Sequence, residues 1–343
     1  MAKKTAKNPN NQTAPTSLIS AWDRFWFTPM LPASIAVYRI LFGLIVIQCA
    51  FFHLLPDLYT WYGRTGLFPA SHITSLWWQN KAILSVLNWF PESDQWLTAV
   101  FTLFCISAVT LTIGFQTRVS ALVVAICIIS LHQRCPVNIN GGDAFMRLAA
   151  VWLVFSSAGR QYSVDNWLEK KFAKVAASAP QLCSAWAQRA LQVQLTVIYA
   201  HTVYNKLNGE LWRKGTAVFY SIRMDDMVKL PMPFLYDNLF LTQLMTYGTL
   251  AVEFALCTLV WYRPWRYYVL LAGVGLHFGI DMSINLPMFE WLMITAFVLF
   301  VDGSDTERFV DWSRAKIAGI FKSKQIKPAV SSVPSGELAG EQP

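Results

Sequence analysis

Charged residues are scarce in this chain of 343 residues: Asp, Glu, Lys and Arg together make up only 14% of it. Soluble domains carry about 25% charged residues, so the shortage argues against a water-exposed globular protein. The six cysteines include no CxxC pair and no spacing typical of a metal site, so no metal centre is predicted. The first 20 residues are polar and no apolar stretch follows them directly, so we expect no cleavable signal peptide.

The chain contains long runs of apolar residues. The hydrophobic fraction is 55% and the mean hydropathy is +0.37. A membrane-spanning helix needs about 20 mostly apolar residues, and the sequence predicts an all-α, polytopic transmembrane bundle of about eight such helices, with seven or nine as alternative counts. The predicted spans are Pro32–Leu54, Trp96–Phe115, Arg118–Leu131, Gly142–Ser157, Arg189–Leu207, Leu239–Tyr262, Tyr267–Ile284 and Pro287–Val301.

The net charge of +8 has a topological interpretation. Most Lys and Arg residues lie between alternate spans and in the two tails, as the positive-inside rule requires when both termini are cytoplasmic. Nucleic-acid binding is therefore not predicted, and we expect a cell-membrane protein whose surroundings are lipid. Residues 1–20 are expected to form a disordered basic tail, residues 21–305 the membrane domain, and residues 306–343 a mostly disordered cytoplasmic tail.

Ionisable side chains interrupt the apolar runs, and each costs about 2.5–3.5 kcal/mol at the bilayer centre. In the fifth span, at about 100° per residue, Tyr199 and Lys206 fall on one stripe while His201 and Asn205 fall on the opposite one. This pattern predicts a helix in the middle of the bundle. Lys206 has two interpretations, a general base held in a dry cavity or a lysine that reaches the headgroup region.

Two further spans carry ionisable pairs at the i, i+4 spacing that places side chains on one helix face. In the seventh span, Asp281 could orient the ring of His277, or the two could form a hydrogen bond that joins helices. The fourth span opens with Asn140, Asp143 and Arg147, and a structural ion pair between Asp143 and Arg147 is the alternative to a functional site.

The predicted topology brings several of these groups to the outer half of the membrane. Lys206, His277 and Asp143 come from three different spans, and convergent polar groups of this kind predict a ligand pocket. Arg39 and Glu253 lie deeper, and we expect that they could pair with one another.

Four stretches of the sequence, taken in order, resemble the vitamin K-dependent gamma-carboxylase and its bacterial short-form relatives, which carry the horizontally transferred transmembrane (HTTM) domain. The resemblance covers roughly residues 20–305. The stretches are Pro32–Gly43; Asn140–Asp143 followed by Ser163–Asp165; Tyr199–Leu207 up to Trp212; and His277 with Met288–Phe289.

The resemblance implies a function for these positions. Lys206 falls on the lysine that deprotonates vitamin K hydroquinone, and His277 falls on a histidine of the seventh-span stretch. It implies a quinone-like hydrophobic ligand. Combined with the residue pattern, it leads us to predict Lys206 as the base and His277 with Asp281 as a supporting pair. The other predicted site residues are Tyr199, His201 and Asn205, which would line or orient the site, Asn140 in support, and Asp143 and Arg147 at the pocket mouth. A carboxylase-like or oxidoreductase-like reaction would follow.

The chain departs from the carboxylase at two places. Asn140–Asp143 stands where the carboxylase has a functional histidine, and only about 40 polar residues follow the last predicted span. Carboxylation of protein glutamate is therefore not expected. The alternative function is that of a non-enzymatic membrane factor for the maturation or export of a secreted peptide. A transporter is disfavoured because the sequence shows no two-fold repeat.

Overall fold

The structure, a computed structural model, describes residues 17–69, 85–89, 92–172 and 181–325. Within these ranges the chain forms helices and no β-strand, and the only bridge pairs are Met30 with Cys183 and Val228 with Ile284. The predicted all-α fold is confirmed.

Each predicted span coincides with a helix in the structure. The helix on the first predicted span continues as a turn of π-helix, Cys49–Leu54, and short 3₁₀ segments, Leu259–Trp261 and Phe297–Phe300, follow the helices on the sixth and eighth spans. The principal helices are α2 (Ala33–Gln48), α4 (Asp94–Ile113), α5 (Thr117–Arg134), α6 (Gly141–Phe155), α8 (Trp186–Asn208), α12 (Leu239–Cys257), α13 (Arg263–Ser283) and α14 (Phe289–Ala296, extended by Phe297–Phe300).

Shorter helices connect and flank these elements. They are α1 (Leu18–Phe27), α3 (Leu58–Tyr62), α7 (Val164–Phe172), α9 (Glu210–Arg213), α10 (Ala217–Ser221) and α11 (Pro233–Tyr236). The described part of the chain ends with α15, Gly303–Gln325. The sequence predicted a mostly disordered tail from residue 306, and for residues 306–325 that prediction is wrong.

Four of the helices are long and apolar enough to cross a membrane by length and composition. They are the continuous segment Ala33–Leu54, α4, α5 and α12. Helices α6, α8, α13 and α14 also lie on predicted spans, but they are shorter or more polar. The number of spanning helices therefore stays a prediction, while a membrane-type helical bundle is established.

Helix α14 joins the two parts of the bundle. On one side α2, α4, α5 and α6 pack in sequence, and on the other side α8, α12 and α13 pack together. Helix α14 contacts α2, α6 and α13, and its side chains Glu290, Leu292 and Met293 are buried. Any cavity between α8, α12 and α13 is therefore closed on its inner wall by α14.

The buried guanidinium of Arg39 ties three chain segments together. It donates hydrogen bonds to the carbonyl oxygens of Ala158, at 2.9 Å, and Tyr162, at 2.6 Å. Gly114 ends α4 with a positive φ of 73°, and a Cβ there would lie 2.4 Å from Nη1 of Arg39. The expected pairing of Arg39 with Glu253 is wrong, because the two Nη groups of Arg39 donate to backbone carbonyls instead.

Asp165 stabilises the same end of the bundle, because it caps the N-terminus of α5 although it lies far from that helix in the sequence. Its carboxylate accepts hydrogen bonds from the backbone N–H groups of Gln116, at 2.7 Å, and Thr117, at 2.8 Å. An acceptor at a helix N-terminus satisfies donors that have no partner within the helix. The Ser163–Asp165 stretch therefore contributes to the architecture of the bundle.

Candidate functional site

A cavity of about 540 Å³ lies among α8, α12, α13 and the start of α14. Most of its lining side chains are apolar, and its volume falls within the range of about 300–1,000 Å³ that is typical of small-molecule sites. Five ionisable side chains from the four helices converge on it. They are Tyr199, Lys206, Glu253, His277 and Glu290.

Lys206 lies on the cavity wall and is paired. Its ammonium group contacts the Oε1 atom of Glu253, and the lysine and glutamate side chains are 20% and 8% exposed. The same nitrogen lies 4.5 Å from the ring centroid of Trp212. The second carboxylate oxygen of Glu253 is buried and has no hydrogen-bond partner in the described structure. Of the two interpretations of Lys206, the geometry matches the amine held at a cavity.

Tyr199, His277 and Glu290 form a chain of hydrogen bonds beside this pair. The Tyr199 hydroxyl lies 2.6 Å from Nε2 of His277, and Nδ1 of His277 contacts the Glu290 carboxylate. All three residues are buried. Because a carboxylate accepts the proton on Nδ1, Nε2 of a neutral ring is left to accept from the tyrosine hydroxyl. The second oxygen of Glu290 is buried and without a partner in the described structure.

A strained turn places Glu290 against the histidine. Between α13 and α14 the backbone of Met288 has a positive φ of 61°, which is costly for a side chain of this size. This turn reverses the chain so that Phe289 and Glu290 point back to the cavity. Gly142 of α6 abuts the same turn, since a Cβ there would lie 2.9 Å from the ring of Phe289.

Asn140 and Asp143 line a different cavity, of about 300 Å³. Asn140 caps α6 by accepting the Gly142 N–H at 2.7 Å, and the Asp143 carboxylate accepts the Asn140 N–H at 2.7 Å. Asp143 also lies 3.6 Å from Nε2 of His132. The expected Asp143–Arg147 ion pair does not form in the described structure, and Arg147 lines neither cavity.

Three other predicted site residues lie outside the main cavity. His201 and Asn205 are exposed on the outer face of α8, where they contact each other at 2.9 Å. Asp281 pairs with Lys229 at 3.3 Å and does not contact His277. The prediction that Asp281 orients the histidine is wrong, because Glu290 occupies that position.

The sequence interpretation missed the partners of both central residues. Glu290 was given no role, and Glu253 was assigned to the wrong cation. Burial of Glu290 is complete and that of Glu253 nearly so. The sequence feature that indicates such partners is an acidic residue within a run that is apolar enough to be buried, because a buried carboxylate needs a partner.

No cluster of three or more His, Cys, Asp or Glu side chains suited to a metal ion occurs within the described ranges. The five ionisable side chains that line the main cavity can transfer protons and form hydrogen bonds. An apolar wall with few polar groups suits a hydrophobic ligand that carries hydroxyl or carbonyl groups.

Comparison with known families gives one match over most of the chain. The family model described as the HTTM domain matches residues 27–304. No solved structure matches the chain. Together with the four long apolar helices, the family match identifies an integral membrane protein.

Proposed function

The chain belongs to the HTTM domain family, and from this premise we propose that the main cavity binds a quinone-like hydrophobic molecule in its hydroquinone form and that Lys206, together with Glu253, removes a hydroxyl proton from it. The observation that carries the proposal is the convergence of a Lys–Glu pair and a Tyr–His–Glu chain on one largely apolar cavity. The protein would lie in the cell membrane with both termini in the cytoplasm and this cavity towards the outer side.

The residues present fit such a ligand. A hydroquinone has a flat apolar body and two hydroxyl groups, and it supplies two protons and two electrons on oxidation. Glu253 and Glu290 each have one buried carboxylate oxygen with no partner in the described structure. A buried acceptor without a hydrogen bond costs about 1–3 kcal/mol, so a hydroxyl donor from a ligand would be favoured at either position.

The Lys206–Glu253 pair can accept the proton as a unit. In a tightly coupled pair the proton belongs to both groups, so Lys206 acts as the base either directly or through the carboxylate of Glu253. After proton uptake, the pair carries one additional positive charge next to the ligand oxygen. A fixed charge in a dry cavity stabilises the oxygen that has lost its proton more strongly than water would.

His277 has a supporting role in this proposal. Its ring is fixed at both nitrogens, by Glu290 and by the hydroxyl of Tyr199. A ring held in this way can exchange a proton with the tyrosine hydroxyl while keeping its orientation. We propose that Tyr199 and His277 bind and orient the second polar group of the ligand.

A binding experiment tests the proposal. The purified protein, reconstituted in nanodiscs, is titrated with a naphthohydroquinone under anaerobic conditions, and quenching of tryptophan fluorescence is followed. Trp212 lines the cavity beside Lys206, so occupancy is expected to change the signal. Lys206→Met and Glu253→Gln should each weaken binding about tenfold, which corresponds to the loss of one charge-assisted hydrogen bond.

The matched control is Lys229→Met. This substitution breaks a lysine–carboxylate pair outside the cavity, with Asp281, and is expected to leave the affinity unchanged. Equal affinities for wild type and Lys206→Met would exclude Lys206 from the site. Binding that is lost in Lys206→Met, combined with an absorbance spectrum of the wild-type-bound ligand that stays that of the protonated hydroquinone, would keep the ligand site and remove the proton-transfer step.

A further inference from the structure

A third cavity, of about 370 Å³, lies at the opposite end of α8 and α13 from the main cavity. Its wall includes the start of both helices, the segment that follows α1, and the end of α14. Along α8, Arg189 at this end is 17 residues from Lys206, which corresponds to about 25 Å. The charged side chains that line it are Arg189, Arg263, Arg266 and Asp302.

These four side chains are not balanced in charge. Asp302 pairs with Arg266 at 2.9 Å and with Arg263 at 3.4 Å. Arg189 has no carboxylate partner in the described structure; it donates to the side-chain oxygen of Gln192 at 2.9 Å. Its Nε atom is buried without any hydrogen-bond partner there. The cavity therefore has an excess of two positive charges and an unused buried donor.

The arginine side chain is held in place before any ligand arrives. Gln192 also donates to the carbonyl oxygen of Leu299 at 2.6 Å, and Gln188 donates to the same oxygen at 2.8 Å. The guanidinium of Arg189 lies 5.2 Å from the ring centroid of Phe25 on α1. A planar guanidinium fixed in this way suits an anion with several oxygens, such as a phosphate.

Helix α1, at this end of the molecule, has the features of a helix that lies on a membrane surface. It buries no residue, and it exposes Leu18, Trp22 and Phe27 while packing against α8. An amphipathic helix with exposed Trp, Phe and Leu side chains lies in the headgroup region of a bilayer. The segment directly after this helix, Thr28–Leu31, lines the cavity, so the cavity lies next to the region expected for lipid headgroups.

We propose that this arginine cavity binds the phosphate of an anionic phospholipid, with the acyl chains leaving along α1. The charge excess recognises the anion, and the location selects a lipid over a solute. In the topology predicted from the sequence this end faces the cytoplasm, where most Lys and Arg residues are expected. Basic pockets between helices on that face bind anionic headgroups.

Lipid retention tests this assignment directly. The protein is reconstituted into nanodiscs that contain equal amounts of phosphatidylglycerol and phosphatidylcholine and is then released from them. The lipid that stays bound to the released protein is quantified by native mass spectrometry. Wild type should retain phosphatidylglycerol preferentially. Arg189→Gln and Arg263→Gln should each reduce that preference about fivefold, since one basic side chain near the surface contributes about 1 kcal/mol.

The control variant is Arg213→Gln, which removes an exposed arginine from α9, at the other end of α8. It should retain the lipid as wild type does. Arg263 has a side chain that is 76% exposed, so Arg263→Gln preserves the fold even if Arg189→Gln does not. Melting temperatures in the two lipids give an independent readout, with phosphatidylglycerol stabilising wild type more than Arg263→Gln.

Three outcomes would overturn the proposal. Equal retention of the two lipids by wild type would show that the cavity does not select an anion. Equal preference in Arg263→Gln, Arg189→Gln and wild type would place the lipid elsewhere. Stabilisation by inorganic phosphate alone, with displacement of the phospholipid, would assign the cavity to a soluble anion. The naphthohydroquinone titration is independent of all three.

Discussion

Removing the ammonium group of Lys206 provides a sharp test of the main cavity. Lys206→Met removes the cation that pairs with the Glu253 carboxylate in the described structure, and this carboxylate is 8% exposed. Breaking a buried pair by removing one partner costs about 3–5 kcal/mol. The lysine side chain is 20% exposed, so the pair is not completely dry and we expect a loss at the lower end, about 3 kcal/mol.

The two single variants should differ from one another. Glu253→Gln leaves an ammonium group that keeps its contact with the ring of Trp212, at 4.5 Å, and its partial contact with solvent. Its cost should therefore be smaller, about 2 kcal/mol. The double variant leaves no unpaired charge, and its loss should fall below the sum of the single losses by about 2 kcal/mol.

The assay is reversible unfolding in mixed micelles, followed by circular dichroism, for wild type, both single variants and the double variant. Lys214→Met serves as the control, because it breaks an ion pair with Glu210 in which both side chains are about two-thirds exposed. That change should stay within about 0.5 kcal/mol. If Lys206→Met costs no more than Lys214→Met and the cycle is additive, the amine reaches water and the reasoning fails.

Two other substitutions test the surrounding structure. Gly114→Ala should destabilise the protein by about 1–2 kcal/mol because the backbone of Gly114 is left-handed, and the clash of the added Cβ with Arg39 should increase the loss. Gly319→Ala is the control in the same unfolding assay. It should not change the stability, because an added Cβ there meets nothing within 4 Å. Glu290→Gln should weaken naphthohydroquinone binding by freeing the cavity imidazole, whereas Asp281→Asn should not, and the reverse order of affinities would contradict the assigned hydrogen-bond chain.

The helices could be predicted from the sequence because the thickness of the bilayer fixes the length of an apolar run. Each predicted span lies on a helix, and the boundary errors are small: the run Arg118–Leu131 became Thr117–Arg134. Helix α15 was not predicted from the sequence. Its charged residues lowered the mean hydropathy, although Phe309, Trp312 and Ile320 mark an apolar stripe that the helical period reveals.

The candidate site could be predicted only in part. The helical period correctly placed Tyr199 and Lys206 on one face of α8, because spacing within a helix determines which side chains share a face. The ion pairs could not be obtained in this way. Glu290 reaches His277 because of the backbone turn at Met288, and a neighbour across a turn has no fixed spacing in the sequence.

The junction at Arg39 has a consequence for how the protein responds to acid and base. Its acceptors are carbonyl oxygens, and a peptide carbonyl does not titrate. The junction therefore persists wherever the guanidinium stays charged, while both ion contacts of the main cavity depend on side chains that exchange protons. A change of pH that alters the protonation of the cavity pairs therefore leaves the Arg39 hydrogen bonds in place.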